Sequence, residues 1–206
     1  MRLVWVSLAF VLGSCGGGRA PATTYYKLNI PPAPAPAGLS APASLRIEPF
    51  RVSSFLRQDR IVYCPSPVQV GYYEYHRWAE PPNDSVTKAL AEQLRGRRIF
   101  QSVEVSAGGQ RVDYVLKGRI ERLQEVDYRG PLRVEVSISA ELEDPERGQV
   151  IWSTTASSES AVAQSDVGSI VAAMGRASQQ SINRLMADVT KFVQVNRLSS
   201  AAAATK

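Results

Sequence analysis

Residues 72–82 read Tyr72-Tyr73-Glu74-Tyr75-His76-Arg77-Trp78-Ala79-Glu80-Pro81-Pro82. These eleven positions hold four aromatic residues, the only histidine of the chain and two prolines. The run reads as the end of a strand turning into the start of a helix. Asn83 or Asp84 supplies a side-chain oxygen that can accept a hydrogen bond from a free backbone N–H at a helix start. Val86, Leu90, Ala91 and Leu94 then recur at helical spacing, which predicts an amphipathic helix over 85–95. Gly96 is the expected stop.

Upstream the chain is extended. Tyr25-Tyr26-Lys27-Leu28 reads as a short first strand or a docking segment. Pro31 to Pro42 is rich in Pro and Ala, a composition that favours an extended loop without packing of its own. Leu45-Arg46-Ile47-Glu48 alternates with period two, and Pro49 marks an edge or a strand end because it has no N–H to donate. Ile61-Val62-Tyr63 and Val68-Gln69-Val70 are short strands separated by Pro65 and Pro67.

Downstream the pattern is more regular. Val103-Glu104-Val105 precedes a turn at Ala107-Gly108-Gly109, and Val112, Tyr114, Leu116, Gly118 and Ile120 occupy alternate positions. The clearest strand is 132–142: Leu132, Val134, Val136, Ile138, Ala140 and Leu142 alternate with polar or charged residues. Such alternation implies one buried and one wet face, as in an antiparallel sheet. Val150, Trp152 and Thr154 form the last strand. A long helix then starts at Asp166 or a neighbouring serine, with Val167, Ile170, Val171, Met174, Ser178, Ser181, Ile182, Leu185, Val189 and Phe192 on one stripe. Strands, helix, strands, helix in that order predict an α+β fold, a mostly antiparallel sheet with two helices packed on one face.

The N-terminus carries an address. Arg2 and the free amine precede an apolar run from Leu3 to Leu12, interrupted only by Ser7. Ten helical residues span roughly 15 Å, half of a ~30 Å hydrocarbon core, so the run is an export signal and not a membrane span. Leu12-Gly13-Ser14-Cys15 resembles the bacterial lipobox, in which the cysteine is acylated and becomes the mature N-terminus. The expected organisation is a signal peptide over 1–14, a lipidated tether over 15–22, a folded domain over 23–195 containing the 31–42 loop, and a disordered tail over 196–206. Gly16 after the cysteine is compatible with transfer to the outer membrane. With Cys15 lipidated, Cys64 has no disulfide partner and is expected to be buried.

Composition excludes several classes. The net charge of +5 is scattered, and the tight cluster Arg95, Arg97, Arg98 has no aromatic platform around it, so nucleic acid is not expected as a partner. That cluster reads either as a solvated helix end or as a contact for an anionic headgroup or partner. A single histidine argues against a His-rich metal site or a Ser-His-Asp triad, and there is no Walker loop. Neither catalytic residues nor a cofactor, other than the lipid on Cys15, are expected.

The chain resembles the ABC-type transport auxiliary lipoproteins. The resemblance rests on the lipobox at Cys15, on Tyr25-Tyr26-Lys27-Leu28, and on Asp59-Arg60-Ile61-Val62-Tyr63 followed by Tyr73 to Pro82. It implies a lipid-anchored protein on the periplasmic face of a Gram-negative outer membrane. Its implied partners are an MCE-domain protein and ABC transporter components that move lipids between membranes, and its implied role is to dock that conduit without chemistry. Self-association into a ring is a further expectation for a protein meeting a tubular conduit. An envelope-assembly lipoprotein unrelated to lipid traffic is the alternative. Tyr, Trp and Arg are enriched at interface hot spots, so Tyr73, Tyr75, Arg77, Trp78 and Glu80 are the candidate partner-binding residues. The same residues also read as pins for a strand–helix junction, with Arg77 and Glu80 paired internally.

Overall fold

The computed structural model describes residues 21–32, 41–128 and 130–196. The signal peptide, Cys15, most of the 31–42 loop and nearly all of the tail lie outside them. The strands are β1 (Thr24–Tyr26), β2 (Ala41–Ile47), β3 (Arg51–Val52), β4 (Arg60–Ser66) and β5 (Gln69–Trp78). Helix α1 (Pro82–Gly96) is followed by β6 (Phe100–Val105), β7 (Tyr114–Val126), β8 (Arg133–Asp144), β9 (Gln149–Ala161) and helix α2 (Val167–Asn196).

All nine strands belong to one sheet built around β7. On one side of β7 the long strands β8 and β9 form an antiparallel meander. On the other side β2, β3 and β4 lie end to end, each parallel to β7, pairing with residues 114–116, 119–120 and 125–126 in turn. The chain over 41–66 therefore runs the length of β7 as one interrupted strand. Pro49 breaks it first, and the 3₁₀ turn Ser54–Leu56 breaks it again. Beyond this line, β6 pairs parallel with β2, β5 pairs antiparallel with β4, and β1 pairs parallel with β5.

The sheet is thus mixed, which corrects the expectation of a mostly antiparallel one. Period-two alternation reports that one face is buried; it carries no information on the direction of the neighbouring strand. The clean pattern of 132–142 does sit in an antiparallel ladder. The short strands upstream have parallel partners that only the long excursion through α1 and β6 brings into place.

The core lies between the sheet and the helices. Val134, Val136, Ile138, Ala140 and Leu142 are buried, as their alternation predicts, and so are Ile170, Met174, Ile182, Leu185 and Val189 of α2. Small residues sit where α2 meets the sheet: Ala173, Ala177, Ser178 and Ser181 on the helix, Ala156 and Ser158 on β9. Their size lets the helix come close, and Ser181 Oγ donates to the Val136 carbonyl at 3.4 Å. Asp166 caps α2 through the Ser169 N–H at 3.0 Å. Helix α1 contributes Val86, Leu90, Ala91 and Leu94 to the same core.

Three boundaries differ from expectation. Ala41 and Pro42 belong to β2, not to the preceding loop; Ala41 is buried and its N–H bonds the Ile99 carbonyl at 2.8 Å. Helix α1 begins at Pro82, without a side-chain cap from Asn83 or Asp84. Proline suits the first helical position, where its missing N–H has no intrahelical partner to lose. The helix ends at Gly96 as expected, but the left-handed residue is Arg98, at φ 51°. Finally, β9 continues well past Thr154 to Ala161 through a serine-rich stretch whose outward residues disguise it.

The segment after β1 crosses α2. Leu28 is buried, and the Asn29 carbonyl oxygen lies 2.2 Å from where a Cβ on Gly175 would stand. Gly175→Ala tests this packing by sign. In an unobstructed helix the change stabilises by about 1 kcal/mol. Here it is expected to destabilise by roughly 2 kcal/mol, because the strap carrying Leu28 must lift. A gain in denaturation midpoint would show that the strap is not seated on the helix.

Candidate interaction surface around β5

Strand β5 is irregular where the sequence is most aromatic. Val62 pairs with Tyr72 and Arg60 with Arg77, so two steps along β4 correspond to five along β5. The extra residues form a wide bulge over 73–76, which re-aims side chains that a regular strand would alternate. Across it runs a chain of rings: Tyr63 to Tyr73 at 5.2 Å, Tyr73 to His76 at 5.7 Å, and His76 to Tyr26 at 5.7 Å between centroids. Tyr26 Oη and His76 Nδ1 are hydrogen-bonded at 3.1 Å. Gly71 is required by this stacking, since a Cβ there would stand 2.2 Å from the Tyr63 ring.

The five candidate residues divide into different environments. Trp78 is buried at 6% exposure in the core. Its N–H bonds the Asp59 carbonyl at 2.6 Å, and the next N–H, of Ala79, bonds the Tyr26 carbonyl at 2.8 Å. In this conformation the indole pins the junction and presents no surface to a partner. Tyr73 is half-buried and donates to Glu125 Oε2 at 2.7 Å. Arg77 pairs with Asp59 at 2.8 Å, not with Glu80. Glu80 is exposed and accepts from Ser85 Oγ at 3.0 Å, bracing the start of α1. Tyr75 is partly exposed, two residues before Arg77. Across the β1–β5 pair, Tyr25 stands opposite Arg77 and is 62% exposed. The members that reach solvent are therefore Tyr25, Tyr75, the Arg77–Asp59 pair and Glu80. Tyr25, Asp59, Tyr63 and Glu125 are the members that reading the 72–82 run alone misses. The first three lie in the two other motifs that carry the family resemblance; no sequence signal singles out Glu125.

Glu125 is a buried carboxylate. Burial pushes its carboxyl above the usual range; the Tyr73 hydrogen bond pulls it back and the Asp127 charge adds to the rise. Burial first, then the bond to Glu125, holds the Tyr73 phenol protonated far above neutral pH. A carboxyl whose pKa is higher folded than unfolded stabilises the fold while protonated, and that contribution is lost as pH rises through the folded value. Glu125→Gln keeps an acceptor for Tyr73 and removes the charge. Its melting temperature is expected to match the parent's below about pH 4, near the unfolded carboxyl pKa, and to exceed it by a few degrees at pH 7–8. Melts across pH that show no such divergence would sink this reading of the site.

Cys64 is buried, as expected of a lone thiol, and burial followed by the Glu135 and Glu125 charges pushes its pKa up, away from reactivity. Among the described residues no group of His, Cys, Asp and Glu is arranged to hold a metal. No helix among them is long and apolar enough to cross a membrane. The outer face of the sheet carries a shallow, solvent-open cavity of about 370 Å³ between Glu48, Arg51, Lys117, Arg119 and Glu121. Its charges are largely consumed: Glu121 accepts from Ser139 Oγ at 2.6 Å and from Ser53 Oγ at 3.2 Å, and Lys117 pairs with Glu143.

Comparison with known proteins supports the resemblance. Residues 26–186 match the model of a family described as the ABC-type transport auxiliary lipoprotein component. A solved structure of a protein from Xanthomonas campestris superposes with a TM-score of 0.75 at 19% identity, covering 84% of this chain and 98% of that one. A hypothetical protein from Chlamydia trachomatis gives 0.55 at 9% identity, covering 74% and 98%. At these identities the two structures speak for the fold alone. No curated protein matches the sequence.

Proposed function

The chain belongs to the ABC-type transport auxiliary lipoprotein family, and from that premise we propose that it is a lipid-anchored docking subunit of an envelope transport system. In this reading Cys15 is acylated, the anchor sits in the outer membrane, and the domain faces the periplasm. The partner is an MCE-domain protein that, with its ABC ATPase and permease, moves lipids between the membranes. The domain itself performs no chemistry. The observation that carries the proposal is the family match over most of the folded domain.

The β5 surface is the proposed contact. Tyr25 and Tyr75 offer apolar area with polar tips, and the partly exposed Arg77–Asp59 pair offers charges that fix register against a partner. Tyr73, Trp78 and Glu80 act behind it, holding the bulge and the start of α1 in place. A photo-crosslinking residue at Tyr75 tests this in intact envelopes, with the same residue at Ser153 on β9 as the comparison position. Crosslinks from position 75 to an MCE-domain or ABC component, with none from position 153, are expected. Crosslinks to such a partner from position 153 alone would move the contact to the outer edge of the sheet.

A further inference from the structure

The β4–β5 hairpin ends in an apolar tip that the fold does not use. Val68 is 91% exposed and Val70 is 47% exposed. Pro65 and Pro67 beside them are exposed as well. From Ile61 to Tyr73 the sequence contains no charged residue. The tip is held rigidly: Ser66 pairs with Gln69, their side chains are bonded at 3.3 Å, and the Tyr63 ring lies against the bare backbone of Gly71. The β7–β8 turn flanks it, since the Asp127 N–H bonds the Cys64 carbonyl at 3.0 Å. Tyr128 in that turn is covered by the Arg133 guanidinium, 5.8 Å from its ring centre. Among the described residues, the exposed charges that adjoin the tip in sequence and in the turn are Glu74 and Asp127, both acidic, while Arg129 adds a cation to the same turn in sequence, so what the tip itself offers is apolar area.

The direction of β1 says what meets this tip. β1 runs parallel to β5, with Thr24 beside His76. The chain preceding Thr24 therefore arrives from the end of the molecule where β5 begins, which is the hairpin tip. Along the sheet, Thr24 lies roughly 17–23 Å from Gln69, depending on how the bulge is counted at ~3.3 Å per residue. The nine steps from Cys15 to Thr24 reach about 30 Å at most. A lipid anchor at Cys15 thus leaves enough chain for the tip to rest on the bilayer.

We propose that the Pro65–Val70 tip seats in the headgroup–acyl boundary of the membrane that holds the anchor. Its apolar, uncharged side chains enter a zwitterionic surface by burial of area alone. The acyl chains supply the affinity. The tip adds a second point of contact that fixes the orientation of the sheet, and so of the Tyr25–Arg77 surface, relative to the membrane. This rests on the lipidation proposed above.

The test uses the full mature lipoprotein reconstituted in vesicles of phosphatidylcholine and phosphatidylethanolamine. Val68→Cys carries an environment-sensitive fluorophore; Gly108→Cys, in the β6–β7 turn at the other end of β7, carries the same label in a second preparation. With lipids bearing a nitroxide near the headgroup, severalfold stronger quenching at position 68 than at 108 is expected, together with a blue shift at 68. Equal, weak quenching at both positions on protein that floats with vesicles overturns the proposal while leaving the anchor intact. Weak quenching with label–label contact at position 68 would assign the tip to a second copy of the chain and also overturn it. Protein that neither floats nor carries acyl mass on Cys15 would instead remove the lipidation on which it rests.

Discussion

Trp78→Ala is expected to cost about 3–5 kcal/mol of folding stability, the usual range for emptying a buried aromatic site. A domain has only about 5–15 kcal/mol to lose, so the variant should be largely unfolded at moderate temperature and should fail in any binding assay for that reason. The indole is 6% exposed, and its backbone N–H is bonded to the Asp59 carbonyl at 2.6 Å. It therefore couples three things: the end of β5, the loop before β4, and the start of α1 two prolines later. Tyr75→Ala should do the opposite, leaving the urea midpoint within about 0.5 kcal/mol of the parent, as surface substitutions do, while weakening complex formation. A folded, stable Trp78→Ala protein that no longer binds its partner would place the indole at the interface after all.

Gly118→Ala is the second large effect, expected at about 3 kcal/mol because overpacking here has no cheap relief. A Cβ at position 118 would stand 2.3 Å from the Phe50 ring, which is 2% exposed. Phe50 cannot simply retreat. Its N–H is bonded to Thr87 Oγ1 at 3.0 Å, which ties the break between β2 and β3 to α1. The missing side chain on β7 is thus what lets the broken parallel line 41–66 lie flat along it. Adding Phe50→Leu to Gly118→Ala should recover part of the loss in urea unfolding. Two losses that simply add would mean that the ring and the glycine are not in contact.

How much of this was legible depends on the element. β8 and α2 announce themselves because each buries one continuous face, and a face written at period two or 3.6 survives in a single sequence. The stripe from Val167 to Phe192 and the alternation from Val134 to Leu142 are both found where they were read. The parallel strands β2, β3 and β4 are not legible as partners of β7. Their partners on β7 lie 62 to 69 residues further along the chain, and Ala41 and Ala43 are too small to mark a buried face. Pro65 did not end its strand, since β4 carries on to Ser66 and only Pro67 and Val68 make the turn.

The site was legible in part. The run 72–82 was correctly read as a strand entering a helix, but the bulge over 73–76 exists only relative to β4 and cannot be read from β5 alone. That bulge, rather than composition, sets Tyr73 against Glu125 and His76 against Tyr26. The internal pairing expected of Arg77 in a structural junction is made with Asp59, because the β4–β5 register sets Arg60 opposite Arg77 and brings the preceding Asp59 within reach of the guanidinium. Exposure at Val68 had no sequence signal: Val68-Gln69-Val70 alternates like a strand with a buried face, and it is the hairpin geometry that turns the valines outward.

Docking onto an envelope transporter is what the proposed function requires of this lipoprotein. The measurement that meets it most directly is a crosslinked pull-down from envelopes, with the protein tagged at its C-terminus and partners identified by mass spectrometry. Recovery of an MCE-domain protein together with ABC ATPase and permease subunits is the predicted result. Recovery of a different assembly machine, or of the tagged protein alone under several mild extraction conditions, would contradict the account and return the protein to the class of envelope-assembly lipoproteins.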